Sequence, residues 1–468
     1  MNNAKPLLLA LTVALALGGC ARTQYQRPDA AIPNQWSQPL SGQAYAADAR
    51  WWDSFNDPAL SALIDKVLAN NNDLAAATLT LRQAMLQSGL TNTNLTPDVS
   101  AGVSASKSKD IKHGASSDPS YSANLNLSYE LDLWGKLAAA RDQDAWEAIA
   151  TGYDRQATAL ALVGTTAQLY WQLGYLNQAI RDGEASIGYA QKTLELVKVR
   201  YEAGDVSRLE LLQAQQSVAS QQSNQAALLQ QRSEARSALA ILFNQGPNNQ
   251  EAEPASLPAI TLPAVPAGLP ADVLARRPDL EAAEWRLKAS LANVDAVTDS
   301  FYPSLTLTGS LGSSSDALKN VLQNPIATLG AGLALPFIQW HTRDLSIQVA
   351  DTQYQKAVVN FRQSLYSAFK EVEDSLSARD NYRRQGEVLA QYLAAAKEAE
   401  QIAKVRYESG ATDVQDFLDQ QERRRTAELS VVQNRYNQLS NLMTLYQALG
   451  GGIEKTLVEN PPASSAGQ

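Results

Sequence analysis

The chain has 468 residues, 45% of them hydrophobic, and a formal net charge of −9. That is enough apolar material for a large buried interior, and too acidic a balance for a nucleic-acid partner, which needs a basic face. With one cysteine, Cys20, and two histidines, His113 and His341, an intrachain disulfide is excluded. Neither a Cys/His metal site nor histidine or thiol catalysis has the residues it needs, and no cofactor is expected.

The N-terminus reads as an address. Lys5, the apolar run Leu7–Leu17 and then Gly18-Gly19-Cys20 form a positive start, a short apolar core and small residues before a cut, the pattern of a secretory signal over 1–19. The run is too short to span a bilayer. Leu17-Gly18-Gly19-Cys20 also resembles a bacterial lipobox, which implies lipidation at Cys20. Ala21 follows instead of the aspartate that retains such proteins at the inner membrane, so the resemblance points to the outer membrane. Residues 20–57 are expected to be an extended, lipid-anchored segment.

A first unit is expected over 58–244, opening with a helix of about 24 residues around 72–95. A hairpin follows over 97–133. Val99, Ala101, Val103 and Ala105 alternate with polar or small residues. From Tyr121 to Leu133 the odd positions are apolar or aromatic, and the even ones are Ser122, Asn124, Asn126, Ser128, Glu130 and Asp132. Period two gives a strand with one apolar and one polar face, which suits a soluble sheet and a membrane barrel alike. Strand length and Trp134, placed where the hairpin ends as interfacial aromatics are, favour the barrel. Next comes a proline-free stretch to Ala203, with Leu173, Ile180, Ile187, Leu194 and Tyr201 seven residues apart, the seam of a long packed helix. Gly204 ends it as a helix stop, and a helix of about 39 residues returns over 206–244. The Pro-rich stretch 245–278 is a connector that cannot be a long helix.

Residues 279–450 then repeat this order, with a hairpin at 303–339 and a tail over 451–468. Lys198–Gly204, KVRYEAG, returns as KVRYESG at Lys404–Gly410, an offset of 206 residues. The same offset carries Asp73 to Asp279, Pro97 to Pro303 and Trp134 to Trp340, the mark of a tandem duplication. The two shorter helices of each unit together match its long helix, so they can stack end to end along it. The chain then runs from the hairpin down roughly 100 Å of helix to a glycine turn and back. Four strands cannot close a barrel, and open edges cannot face lipid. If the strands span a membrane, several copies must share one barrel: two copies supply eight strands, three supply twelve, and a water-filled lumen favours the larger number.

This layout resembles the TolC-type outer membrane factors, in particular the NodT/OprM lipoproteins. The motifs that carry the resemblance are VPAGLPADVLARRPDLEAAE from Val265 to Glu284, FYPSLTLTGSLG from Phe301, ELDLWGK from Glu130, LYQALGGGI from Leu445 and YQRP at Tyr25–Pro28. The resemblance implies a mixed α and β membrane protein, a homotrimer with a 12-stranded barrel and a long periplasmic α-barrel. It implies passive export of small toxic compounds, driven by an inner-membrane RND or ABC transporter through a periplasmic adaptor. It also implies a gate at the periplasmic tip, where Asp416 and Asp419 match an acidic pair and Tyr407 a gate tyrosine. Glu210 is the first-half equivalent of Asp416. The chain departs from TolC at Thr412, where a gate arginine would sit. Spacing alone also permits Asp416 and Asp419 a simpler role near a helix start. Two other readings stay open: an exit duct for secreted proteins or peptides, and a lipid-anchored periplasmic coiled-coil scaffold with a soluble hairpin sheet.

Overall fold

The computed structural model describes residues 23–31, 35–37, 50–109, 112, 118–247, 253–259, 276–323 and 325–451. The signal segment, Cys20 and His113 lie outside them. A 3-10 turn at Trp51–Phe55 leads into α1 (Pro58–Asn70) and α2 (Asn72–Thr93). Strands β1 (Asp98–Ser106) and β2 (Ser120–Leu131) follow, then α3 (Lys136–Glu202) and α4 (Arg208–Leu242). The second half runs α5 (Pro278–Asp299), β3 (Ser304–Ser315), β4 (Ile326–Ala334), α6 (Trp340–Glu408) and α7 (Val414–Ala448).

The duplication is visible residue by residue. Moved by 206 positions, α2 becomes α5 and α4 becomes α7, end for end. Helix starts are set locally. Asp57 caps α1 ahead of Pro58, and Asn71 caps α2 by accepting from Asp73 N and Leu74 N, satisfying N–H groups that no helical turn reaches. The long helices α3 and α6 have 67 and 69 residues, about 100 Å each.

The helices form a wall. Between the sheet and the middle of the molecule α3 packs on α2 and α5, and α5 on α6; toward the other end α3 packs on α4 and α7, and α7 on α6. Each short pair therefore stacks end to end on its long helix. Among the described residues, α6 forms one edge of the wall and α2 above α4 the other. The main core lies mid-length, where Trp51 stacks on Tyr446 (4.9 Å between ring centres) and Phe55 meets the fully buried Trp171. Trp51, Trp52 and Phe55 are buried, so the expectation of an extended segment through Asp57 fails there: three large aromatics gain more by joining this core than by staying in water. Residues 23–31 and 35–37 form neither helix nor strand and lie on α5 and α6. Thr23 donates to Asp295, Arg27 pairs with Glu284, and Trp36 packs edge-on against Phe369.

The four strands form one antiparallel sheet in chain order. The hairpins keep identical registers under the duplication: Asp98 opposes Ser128, and Ser304 opposes Ala334. β2 pairs with β3, with Leu127 opposite Gly309. The fourth strand ends short of its repeat partner β2. Leu335 and Phe337 leave it, and Pro336–Ile338 form a 3-10 turn, because Pro336 has no N–H for a ladder.

Candidate membrane sheet and tip gate

Among the described residues, neither face of the sheet joins a hydrophobic core. Every residue of β1 and β4 is exposed, with Leu329 at 90% and Val103 at 83%. A soluble scaffold would bury its apolar strand face, since a solvated apolar face of this size is unfavourable. Here the alternation is kept, and among the described residues no helix packs over the strands.

The roots of the hairpins are braced. Trp134 donates its indole N–H to the carbonyl of Pro303 at 2.7 Å and lies 5.2 Å from the ring of Tyr302, tying the first hairpin to the second. Trp340 is 65% exposed. Of the two tryptophans expected at the membrane interface, Trp340 is exposed and packs edge-on against His341, and Trp134 is committed to the fold. Asp132 accepts from Leu137 N and Ala138 N, and Glu130 pairs with Lys136. Alternation placed these two carboxylates on the polar strand face, but both brace the first turn of α3. Gly135 lets the chain enter α3 with φ +91°, a conformation open mainly to glycine.

At the opposite end Gly204 and Gly410 have φ +83° and +74°. Gly204 N–H donates to Tyr201 O and Asp205 N–H to Arg200 O; Gly410 and Ala411 repeat both bonds to Tyr407 O and Arg406 O. These are paired Schellman turns, and both tip glycines do what the sequence assigns them.

Beneath the turns lies a second core of Val197, Ala214, Ala403, Tyr407, Val414, Phe417 and Leu418. Tyr407 is 1% exposed and stacks on Phe417, ring centres 6.0 Å apart. The guanidinium of Arg200 sits 5.0 Å from its ring centre, and Nη1 donates to the Tyr407 carbonyl at 3.2 Å. Burial raises the Tyr407 hydroxyl pKa, and Arg200 opposes the shift. Tyr407 therefore stands inside the tip core of its own chain, not on its exposed surface. Its repeat partner Tyr201 is exposed, as is Arg406, the partner of Arg200. Arg200 was not singled out from sequence. The signal was present, because it belongs to the repeated KVRYE motif.

Asp416 and Asp419 point away from this core and are exposed, while Phe417 and Leu418 between them point in. Asp419 accepts from Gln415 at 2.6 Å. Glu210 has a local task. Its carboxylate accepts from Ser207 N–H while its own N–H donates to Ser207 Oγ, a closed capping box, which satisfies two N–H groups at the start of α4. Arg424 pairs with Glu400 and Glu428, and Arg425 with Glu422, so these two arginines serve helix packing and leave Asp416 and Asp419 alone.

An uncovered four-stranded sheet at one end of a 100-Å helical wall, duplicated within one chain, is a specific architecture. The outer membrane efflux protein family profile matches residues 63–245 and 269–451. The chain belongs to the outer membrane efflux protein family. It is 32% identical to the pyoverdine export outer membrane protein OpmQ of Pseudomonas putida, over 95% of this chain and 97% of the relative. It is 30% identical to the cation efflux system protein CusC of Escherichia coli, over 96% and 99%. The solved open-state structure of the Neisseria gonorrhoeae MtrE outer membrane channel matches 93% of this chain and 99% of its own with a TM-score of 0.83 and 29% identity. Like other outer membrane efflux proteins, the chain is a channel component of an efflux system, set in the outer membrane and reaching into the periplasm. The mixed α and β barrel fold that the resemblance implies is the fold of its relatives.

Proposed function

We propose that three copies of this chain close one barrel of twelve strands over a continuous helical tunnel, which serves as the passive exit of a tripartite pump. A periplasmic adaptor grips the tunnel, and an inner-membrane RND or ABC transporter drives small toxic compounds through it. The carrying observation is the sheet: among the described residues it has four strands, two open edges and edge strands exposed along their whole length. Open edges in lipid leave backbone groups without partners at several kcal/mol each, and four strands are half of what a small barrel needs. Relatives named for pyoverdine export, toxin and drug export and cation efflux support small-compound cargo.

The lipid anchor at Cys20 belongs to this reading. Thr23 is held by Asp295, four residues before α5 ends beside the sheet. The gate is the tip. Asp416 and Asp419, exposed on α7 and three residues apart, supply six carboxylates from three copies around one axis. Such a ring attracts cations and resists anions. Tyr407 and Glu210 contribute as support, one through the tip core and the other through its capping box.

The test is single-channel recording in planar bilayers of the wild type and the Asp416→Asn plus Asp419→Asn variant. Wild type conducts with cation preference, and the variant loses most of that preference. Wild-type protein that carries no current overturns the duct, and unchanged selectivity in the variant overturns the gate assignment.

A further inference from the structure

We infer that the seam between copies has a fixed strand register, with Leu333 of one copy directly opposite Val103 of the next. The inference rests on the shared-barrel reading above and goes beyond it by naming the pairs.

The argument comes from the duplication. The offset of 206 carries β1 onto β3 and β2 onto β4, and the two hairpins hold the same register under it, Asp98 with Ser128 and Ser304 with Ala334. The β2–β3 contact is where the first repeat meets the second. In a closed ring the only other kind of strand contact is β4 of one copy with β1 of the next, where a second repeat meets a first. Both contacts join a β2-type strand to a β3-type strand. The register of one, Leu127 opposite Gly309 and Leu125 opposite Leu311, therefore transfers to the other. It places Leu333 opposite Val103, Ala331 opposite Ala105 and Gly332 opposite Ser104.

Side-chain chemistry agrees with the transfer. In this register the odd positions of both edges fall on one face, so Leu333 and Val103, which are 64% and 83% exposed, become cross-strand neighbours on the lipid side. A slip by one residue would turn an apolar row into the lumen. On the other face Gly330, Gly332 and Ala334 meet Ser106, Ser104 and Gly102, which are small enough to pose no steric barrier. The seam is shorter than its internal counterpart toward the helices. β2 and β3 stay paired to Leu131 opposite Leu305, whereas β4 stops at Ala334 because Pro336 has no N–H to offer.

Disulfide trapping tests the register in the full chain. Directly paired residues have Cα atoms about 4.5–5.5 Å apart, inside the range a disulfide spans, and diagonal partners lie about 7–8 Å away. The Leu333→Cys plus Val103→Cys variant, oxidised with copper phenanthroline in outer-membrane vesicles, should form covalent dimers and trimers on non-reducing gels. It should do so at least tenfold faster than Leu333→Cys with Ala101→Cys or with Ala105→Cys. Each single-cysteine variant controls for Cys20. The molecular mass of the detergent-purified protein is measured in parallel. A trimeric mass with a slipped pair trapping fastest overturns the register alone. A monomeric mass with no trapping overturns the shared barrel and the register with it.

Discussion

Asn71 and Arg277 stand 206 residues apart and make the same hydrogen bond. Asn71 Nδ2 donates to the carbonyl of Leu242 at 3.0 Å, and Arg277 Nη1 donates to the carbonyl of Ala448 at 3.2 Å. Leu242 and Ala448 are themselves 206 apart and end α4 and α7. At each joint the residue just before the upper helix satisfies a carbonyl that the lower helix leaves unpaired at its end. Two unlike side chains thus weld two short helices into one rod beside each long helix.

The joints should differ in strength. Asn71 also caps α2, so Asn71→Ala should cost about 1–2 kcal/mol. Arg277 is buried and pairs with Asp279 and Glu371, so Arg277→Ala should cost more, about 3 kcal/mol. Denaturant unfolding of the two variants in detergent checks the order. Equal loss would mean that Arg277's ion pairs add nothing to the joint.

At the tip, a Cβ on Gly204 or Gly410 would meet no atom within 4 Å. Any cost of Gly204→Ala or Gly410→Ala is therefore backbone strain at positive φ, about 1–2 kcal/mol. Hydrogen exchange should show loosening limited to the tip turns, with the mid-length core as protected as before. Wild-type protection at the tip in both variants would contradict the strain argument.

Gly164 on α3 lies under the amide of Gln447, which donates to the Leu160 carbonyl at 3.0 Å; an added Cβ would sit 2.0 Å from the amide nitrogen. Gly164→Ala alone should gain about 1 kcal/mol in helix propensity and lose about as much by displacing that bond. In a Gln447→Ala background only the gain remains. A double-mutant cycle should then give a coupling of about 1 kcal/mol, and zero coupling would show that the amide bond contributes nothing.

The connector carries a pH response. Glu253 accepts from Arg236 Nε at 2.8 Å, and this pairing holds its carboxyl below the usual carboxylate range. A depressed carboxyl contributes stability above its unfolded pKa, about 4.3 for Glu, and loses it as pH falls through the lower folded value. Wild type should therefore melt above Glu253→Gln at neutral pH, and the two melting curves should converge in acid below about pH 4. A constant gap across that range would rule the pairing out as its source.

Much of the architecture was legible in the sequence because it is periodic. The offset between KVRYEAG and KVRYESG, the alternation from Tyr121 to Leu133 and the freedom from proline between Lys136 and Ala203 are local regularities. They dictate strands, long helices and their order wherever the chain finds itself. The two glycine turns were readable for the same reason, since a helix stop is written within a few residues. Tertiary structure decided which side chains face which. Tyr407 and Tyr201 occupy the same place in the repeat, yet one is buried against Phe417 and the other exposed. Glu210 turns back to Ser207, while its repeat partner Asp416 is exposed and has its N–H capped by Asp413. Trp134 is held by Pro303 while Trp340 is exposed. Duplication makes these pairs alike in sequence. Packing, in which α3 lies in the middle of the wall and α6 at its edge, gives equivalent positions unequal neighbours, and burial follows neighbours and not motif.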